Sequence, residues 1–541
     1  MPQARPIEAA EDQPDPVLIA GAGPVGLATA LLLARWQVPS LVFEAADEAA
    51  KRQPVGSRAI CFQRDVLDIF DRVRCADAIL REGVTWSTGR TYYRGTELFS
   101  VSFPDPGAGA LPPWINISQG SVERSLLAKA QTEPLIELRF AHEVTGFADN
   151  GDHVEVEAAA ASGPLVVRGS HLVGADGARS IVRQRLDIGF GGHSFDDQFL
   201  ICDIRANLEF PKERRFYFDP HWNPGRQVLV HQCPDGVWRI DWQVPAGFDL
   251  EAEQASGGLD ARIRQITGLV PYEVVWASAY RFHERVADRF SAGLAYLVGD
   301  AAHLYAPFGA RGLNSGLQDA ENLAWKLAFV RRGWAPPRLL DSYHAERAPA
   351  AAENLRVTSA TMAFLVPQTD HARRLRAATL ERALTDPAAR ARIDSGKLAE
   401  PYWYTASPLT TEGPPLAGFP TAAGAPRPPV PGVLCPDGPC RVAAATGHRS
   451  RLRNLFGRSF VILTQSKANA AAAAAMARAA LPAPADAYAL DQIDSTGRLR
   501  AALAADADSI HVVRPDGHLA AVLARFDPAT LTAALRRAVG D

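Results

Sequence analysis

A short apolar run, Val17-Leu18-Ile19-Ala20, leads straight into GAGPVG, where Gly21, Gly23 and Gly26 stand at G-x-G-x-x-G spacing. The run reads as a buried strand. Residues 27–35 follow as an apolar helical stretch. Ser40-Leu41-Val42-Phe43 is a second short run and ends in Glu44, about 20 residues past the glycines. Each part has a physical task. Gly21 permits the tight turn, Gly23 lets the backbone approach a pyrophosphate, and Gly26 lets helix and strand pack closely. The helix start offers free N–H groups and the positive end of its dipole to phosphates. Glu44 is placed to accept hydrogen bonds from ribose hydroxyls. The glycine spacing alone is weak evidence, and its plainer reading is a turn without a ligand. Strand, glycines, helix, second strand and acid in this order point instead to a dinucleotide-binding βαβ unit.

A chain of 541 residues exceeds what one hydrophobic core serves, so two or three domains are expected. Its 47% hydrophobic and 22% charged residues are those of a soluble globular protein. A formal net charge of −3 gives no electrostatic case for nucleic acid or a membrane surface. No apolar stretch approaches a membrane span. Residues 1–15, polar, acidic and proline-containing, read as a flexible tail and lack the features of a signal peptide. The six cysteines do not make a disulfide framework. Cys61, Cys75, Cys202 and Cys233 read as small core or half-buried residues. Cys435 and Cys440 match neither C-x-x-C nor a zinc pattern and read as reduced thiols in a loop. A cytoplasmic location is the expectation.

Arg58 precedes a helical stretch marked by Val66, Leu67, Ile69 and Phe70. It could lie over a phosphate, although in isolation it reads as a surface arginine. Residues 84–103 alternate with aromatics and look like strands. Ser121 is a plausible cap for a helix over 122–130. Residues 137–147, with Val144 near the end, and 153–158 read as strands. Leu172-Val173-Gly174-Ala175 is an apolar strand that delivers Asp176-Gly177, and Ala178-Arg179-Ser180 opens a helix. An acid at such a strand end is where a nucleotide site sits in an open α/β sheet. A plain strand-to-helix turn is the alternative.

Alternation and turn formers dominate residues 190–285, an antiparallel sheet inserted between two halves of the nucleotide domain, with a helix over 258–267. Residues 295–300 then form another apolar strand, ending in Asp300. A loop with Pro307 and PFGARG leads to a helix that starts near Leu313-Asn314 and runs to about 331. Its positive dipole end suits a developing negative charge. His303 reads first as a packing or hydrogen-bonding residue and second as a base. Residues 338–400 read as helical with arginines outside, and 401–432 as a linker. Residues 433–541 read as a small α/β domain, with strands at 460–464 and 510–514, a helix over the alanine tract 468–480, and a hairpin turn at Pro515-Asp516-Gly517.

Three motifs thus stand in order: GAGPVG at 21–26, GADGARS at 174–180, and GDAAH at 299–303 followed by PFGARGLNSGLQDAENLAWKLA at 307–328. Together they resemble the group A flavoprotein aromatic hydroxylases, the para-hydroxybenzoate hydroxylase-like family. By pattern the chain is similar to the larger phenol, hydroxyphenylpropionate and polyketide hydroxylases, which carry a C-terminal thioredoxin-like domain without redox cysteines. The likeness covers residues 16–370 well and 433–541 more loosely. It implies an α/β fold: a Rossmann-like FAD-binding domain (16–189 and 286–400), an inserted antiparallel-sheet substrate domain (190–285) and a thioredoxin-like domain (433–541). By the same resemblance Gly21, Gly23 and Gly26 hold the FAD pyrophosphate and Glu44 the adenosine ribose. Arg58 and Gln119 touch the flavin from the side, and Val144 belongs to the cofactor set. Asp176 serves FAD and the nicotinamide nucleotide, and Asp300 the ribityl and phosphate region. Pro307 lines the reactive face, and Gly312, Leu313 and Asn314 present backbone donors to the flavin pyrimidine edge. Arg311 stands where many relatives have glutamine.

The resemblance implies a single-component monooxygenase that consumes NAD(P)H (NADH or NADPH) and O2, forms a C4a-hydroperoxyflavin and hydroxylates a small aromatic substrate, as a homodimer. A base or hydrogen-bond partner near the phenol raises ring nucleophilicity. The candidates are Tyr217 and His231, with Arg215, Arg239 and Asp241 behind them; each also reads as a sheet-surface or packing residue. Alternatives are epoxidation or Baeyer–Villiger insertion on a polyketide or drug-like aromatic, and, more remotely, a flavin halogenase. The halogenase reading rests on the tryptophan-rich stretch 238–245 and is opposed by Asp176-Gly177. A flavin-binding sensor is the non-enzymatic alternative.

Overall fold

The computed structural model describes residues 15–52, 59–103, 110–414, 416, 419, 425–441 and 451–541. Val17–Ala20 is buried along its length and pairs in parallel with Ser40–Glu44 on one side and His171–Gly174 on the other. Ile136–Phe140 and Ala295–Leu297 extend this sheet, and Ser291–Ala292 closes it antiparallel. Strands buried on both faces are continuous apolar runs, which is why they were legible. The helix Pro24–Arg35, started by proline in its first turn, packs against the helix Gly312–Arg331 over the sheet. All three glycine and acid motifs therefore meet at the same strand ends.

The strand expected over 137–147 is two. Ala141, at φ 55°, breaks it between Ile136–Phe140 and His142–Asp149. The first piece is half-buried except at Glu137, and the second begins with half-buried and exposed residues in alternation. Val144 belongs to the second piece, in an antiparallel meander with Val154–Ala160 and Leu165–Gly169. The helix expected from 122 begins at Gln119, and its cap is Ser118 rather than Ser121. Ser118 Oγ accepts from Ser121 N at 3.1 Å.

The large sheet runs His303–Leu304, Tyr272–Ala287, Phe190–Ala206, Val237–Val244, Gln227–Gln232, Arg214–Phe218, Thr88–Tyr93 and Thr96–Ser102. It reaches beyond 190–285, because Arg214–Phe218 pairs in parallel with Thr88–Tyr93. Alternation gives it two faces. One carries Phe199, Phe216, Phe218 and Leu229 and packs on Phe308. The other carries Trp238, Ile240 and Trp242 and packs on Leu259 and Ile263 of the helix Gly258–Thr267.

Beyond Gly312–Arg331 come the helices Asp341–Leu365, Asp370–Ala383 and Pro387–Arg390. Their arginines are not all outside, since Arg347 is 1% exposed. The C-terminal unit alternates Phe460–Thr464, Lys467–Ala480 and Ala485–Ala489, then Ile510–Val513, Leu519–Leu523 and Pro528–Ala538. Its strands lie in the order Ala485–Ala489, Phe460–Thr464, Ile510–Val513, Leu519–Leu523. All six cysteines are free and buried.

Candidate active site

Gly21 has φ 101°, and a Cβ there would lie 2.5 Å from Ala175 O. A Cβ on Gly26 would lie 2.0 Å from Gly21 O. Those two glycines are required by the protein's own backbone. At Gly23 a Cβ meets nothing within 4 Å, and the same holds at Gly312. These two edges are open for a ligand to approach the backbone. Glu44 Oε2 accepts from Ala22 N at 3.1 Å and Oε1 from Ala46 N at 3.0 Å, so the acid at the second strand end fixes the glycine loop. Lys51 lies 3.4 Å from Glu44.

Asp176 Oδ2 accepts from Val182 N at 3.2 Å, while Oδ1 is buried with no hydrogen-bond partner among the described residues. Burial raises this carboxyl above its ordinary range, against the bonds from Ser180 and Val182. Asp300 is exposed at the mouth of the sheet, in the turn Gly299–Ala301. Beneath it lies Asp319, which the sequence did not single out. Asp319 Oδ2 accepts from Gly299 N at 3.0 Å and pairs with His303 Nε2 at 2.7 Å, and Oδ1 accepts from Arg347 Nε at 2.6 Å. Arg347 also donates to Tyr404 and Ser315. Burial opposes the charge on Asp319, but Arg347 and His303 hold its carboxyl below the usual range. Asp319 thus ties the Asp300 turn to the next helix, and His303 is fully buried in that network.

The helix Gly312–Arg331 starts at Arg311 without a side-chain cap, so its first N–H groups have no cap of the chain's own. Asn314 locks this start to the neighbouring strand. Its Oδ1 accepts from Gln63 N at 3.2 Å, and its Nδ2 donates to Cys61 O at 2.9 Å and Ala310 O at 2.6 Å. Leu313 is half-buried and Pro307 exposed. Gln119 N donates to Ala59 O at 3.0 Å. Arg58 lies outside the described residues. The open edges at Gly23 and Gly312, the orphaned Asp176 oxygen and two helix starts fit a bound dinucleotide with a heterocycle that takes negative charge.

Beside the start of that helix is a cavity of about 840 Å³. Gln63, Phe99, Phe103, Trp114, Arg214 and Arg311 line the near side, and Pro436, Arg451 and Ala502 of the C-terminal unit the far side. Neither Tyr217 nor His231 is in this lining. Tyr217 stands on the sheet face away from Phe308 and stacks on Tyr92, ring centroids 4.8 Å apart. His231 shares the face of Leu229, turned to Phe308, and is buried with Nδ1 lacking a partner among the described residues. Burial, reinforced by Arg214 and Arg239, pushes its imidazole well below the ordinary range. Asp241 lies on the same face, and burial lifts it to about 7 against the pull of Arg239. Arg239 is held by Asp203 at 2.8 Å through both Nε and Nη2, and Arg215 pairs with Glu213 at 2.9 Å on the Tyr217 side.

A profile of the FAD binding domain family matches residues 15–358. A flavin-dependent monooxygenase of Mycobacteroides abscessus is 34% identical over 374 residues, 63% of this chain and 72% of that protein. The 6-methylpretetramide 4-monooxygenase of Streptomyces rimosus is 32% identical over 360 residues, 64% of this chain and 62% of that one. The crystal structure of the flavin-dependent monooxygenase PieE in complex with FAD and substrate has the same fold, with a TM-score of 0.81 over 98% of this chain and 100% of that one, at 24% identity. With its glycine cradle, both later acids and the open helix start inside the matched segment, the chain belongs to the FAD binding domain family, in its branch of FAD-dependent monooxygenases.

Proposed function

We propose that the chain is a single-component monooxygenase that uses NAD(P)H and O2 to hydroxylate a phenolic ring of a polyketide-like aromatic. The observation that carries this reading is the placement of the cavity: Arg311 and Gln63, which adjoin the uncapped helix start, also line it. Bound FAD, reduced by NAD(P)H, supplies the activation of O2. The chain's residues bind, orient and exclude water. Gly21, Gly23 and Gly26 hold the pyrophosphate, Glu44 the ribose side, and Asp176 and Asp300 the middle of the cofactor. Gly312, Leu313 and Asn314 offer N–H groups to the pyrimidine edge. Arg58, Gln119, Val144 and Pro307 complete the cofactor set.

Neither base candidate lines the cavity. His231 lies on the face turned to Phe308, where burial and Arg214 and Arg239 keep its imidazole neutral and oppose protonation, so its role is that of a hydrogen-bond partner rather than a base. His231→Ala is expected to lower substrate-stimulated NAD(P)H oxidation by roughly tenfold, the scale of one lost hydrogen bond, and Tyr217→Phe to leave it near normal. Normal rates and coupling in both variants would remove the assignment. The similarity to the 6-methylpretetramide 4-monooxygenase of Streptomyces rimosus supports a multi-ring substrate. The order of strands and helices supports reading the C-terminal unit as thioredoxin-like and non-redox, with Cys435 and Cys440 ahead of its first strand. The reading of the cysteines as reduced thiols supports a cytoplasmic location, and a homodimer belongs to the same proposal. The deciding experiment incubates the purified yellow protein with NAD(P)H and a panel of phenolic polyketides, with product masses recorded. Stimulated oxidation and a product heavier by one oxygen are expected. NMR of the product separates ring hydroxylation from ester or epoxide formation. Failure to oxidise NAD(P)H without a partner reductase would sink the reading and favour the halogenase alternative.

A further inference from the structure

The C-terminal unit meets the cofactor-binding part through two sets of buried charges, which differ in what lies behind them. Arg451 and Arg453 close on Asp65, Asp68 and Asp71 of the helix Arg64–Arg72. The second set starts at the turn 514–518, between the strands Ile510–Val513 and Leu519–Leu523. Arg514 donates to Asp516 Oδ1 at 3.1 Å and to Glu346 Oε2 at 2.9 Å, and its guanidinium lies 5.4 Å from the ring centre of Tyr404. His518, from the same turn, packs on the Tyr404 ring with centroids 4.3 Å apart. Tyr404 OH accepts from Arg347 Nη1 at 2.9 Å. Arg347 carries this contact to the candidate site. Its Nε donates to Asp319 Oδ1 at 2.6 Å and its Nη2 to Ser315 O at 3.1 Å. Asp319 Oδ2 in turn holds Gly299 N at 3.0 Å, and Ser315 lies in the first turn of the helix Gly312–Arg331. The turn and the helix start also touch each other. A Cβ on Gly316 would lie 3.0 Å from Gly299 Cα and 2.8 Å from Val25 Cγ2 in the helix Pro24–Arg35. Arg514, Tyr404, Arg347 and Asp319 are all buried.

Buried ion pairs add little net stability over well-packed apolar groups, and Arg451 and Arg453 already join the two units. What sets the second cluster apart is its position behind the loops that face the cofactor. The planar fork of Arg347 is gripped from both sides, by Tyr404 on the C-terminal side and by Asp319 and Ser315 on the other. We propose that the docked turn 514–518 completes the FAD site from a distance: through Tyr404 it orients Arg347, and Arg347 sets the place of the Gly299–Ala301 turn and of the uncapped helix start. Arg514, Tyr404 and Arg347 are then positioning residues for FAD. Donors hold a ligand well only when kept within about 0.5 Å of the productive geometry. A contiguous row of packed and hydrogen-bonded side chains can carry such coupling. This role goes beyond the proposed reaction, and it needs only FAD at the glycine cradle and the open helix start.

The test titrates FAD into the full-length protein stripped of cofactor, read by flavin fluorescence, beside thermal melts of the FAD-free protein. Tyr404→Phe removes one oxygen and keeps the ring against His518 and Arg514. It should weaken FAD by about fivefold or more, the scale of one hydrogen bond to a charged group, while the FAD-free protein still melts cooperatively. Arg514→Lys keeps the charge but not the fork and should weaken FAD by at least as much. Asp527→Ala is the control. Asp527 caps the helix Pro528–Ala538 of the same unit, its Oδ2 accepting from Thr530 N at 2.8 Å. Its loss should lower the melting temperature and move FAD affinity by no more than about twofold. If Arg514→Lys fails to fold, Tyr404→Phe alone decides. Unchanged FAD affinity in the folded Tyr404→Phe protein overturns the inference. So does an equal loss in Asp527→Ala, which would trace the effect to general loosening of the C-terminal unit. A wild-type protein that takes up no FAD overturns the cofactor assignment and this inference with it. Weakened FAD in Tyr404→Phe, beside a wild type that oxidises NAD(P)H with no aromatic, supports the inference and overturns the monooxygenase reading alone.

Discussion

At the scale of single residues, the glycines of the first motif separate into two kinds. Gly26→Ala drives a methyl into Gly21 O, so it should destabilise the fold by roughly 1–3 kcal/mol. Gly23→Ala has φ −69° and open space, so it should leave the melting temperature of the FAD-free protein nearly unchanged. On the proposed function it should nevertheless weaken FAD at least about tenfold, because the methyl would stand in the open space proposed for the pyrophosphate. Fluorescence titration of FAD and thermal melts of both variants check the contrast. Asp241 gives a pH signature. Its folded pKa of about 7 exceeds the ordinary 3.8, so its contribution to stability is full at low pH and falls as pH rises from about 4 to about 7. Asp241→Asn should therefore change little at pH values below about 4 and raise stability by roughly 1–3 kcal/mol at a pH of about 8. Denaturant unfolding at both pH values decides it; a destabilised variant at the higher pH would refute the sign.

At the scale of elements, the helix Arg64–Arg72 carries Asp65, Asp68 and Asp71 at intervals of about one turn, on one side. Arg451 and Arg453 of the C-terminal unit close on this row, with Asp68 4% exposed and Arg453 5% exposed at their side chains. Burial would raise Asp65, but Arg427 and Arg453 hold it well below the usual carboxylate range. Arg453→Ala strands buried carboxylates and should cost about 3–5 kcal/mol in urea unfolding. Ser118→Ala removes only a cap and should cost about 1 kcal/mol. Neither the clamp nor the cap position was legible. Arg453 and Asp65 are 388 positions apart, and Ser118 and Ser121 are both hydroxyl residues at a helix start.

At the scale of the whole molecule, the C-terminal unit is tied to the cofactor-binding part by a second buried cluster. Arg514 donates to Glu346 through both its terminal nitrogens, at 2.9 Å through Nη2, and Lys326 and Ser407 meet the same carboxylate at 2.7 and 2.6 Å. Burial lowers Lys326 to about 8 against the pull of Glu346. Glu346 is followed by Arg347, which grips Asp319 under the Asp300 turn, so three side chains, Glu346, Arg347 and Asp319, link Arg514 of the C-terminal hairpin to the Gly299–Ala301 turn. A fragment ending at residue 400 leaves Glu346, Asp65 and Asp68 without their arginines and should not yield a soluble, FAD-binding protein. Recovery of such a fragment by gel filtration with bound flavin would contradict this.

The sequence by itself determined the nucleotide cradle, because its work is done by backbone conformation at fixed local spacing. Apolar runs likewise announced the buried parallel strands, and alternation the inserted sheet. Tertiary structure alone decided which side chains share the cavity. A sheet face assigns His231 to one side and Tyr217 to the other, and that assignment depends on the pairing register of their strands. It also decided that Arg451 and Arg453 are matched by Asp65, Asp68 and Asp437. Charge compensation is a property of neighbours in space, and the chain order of this protein keeps those neighbours hundreds of residues apart.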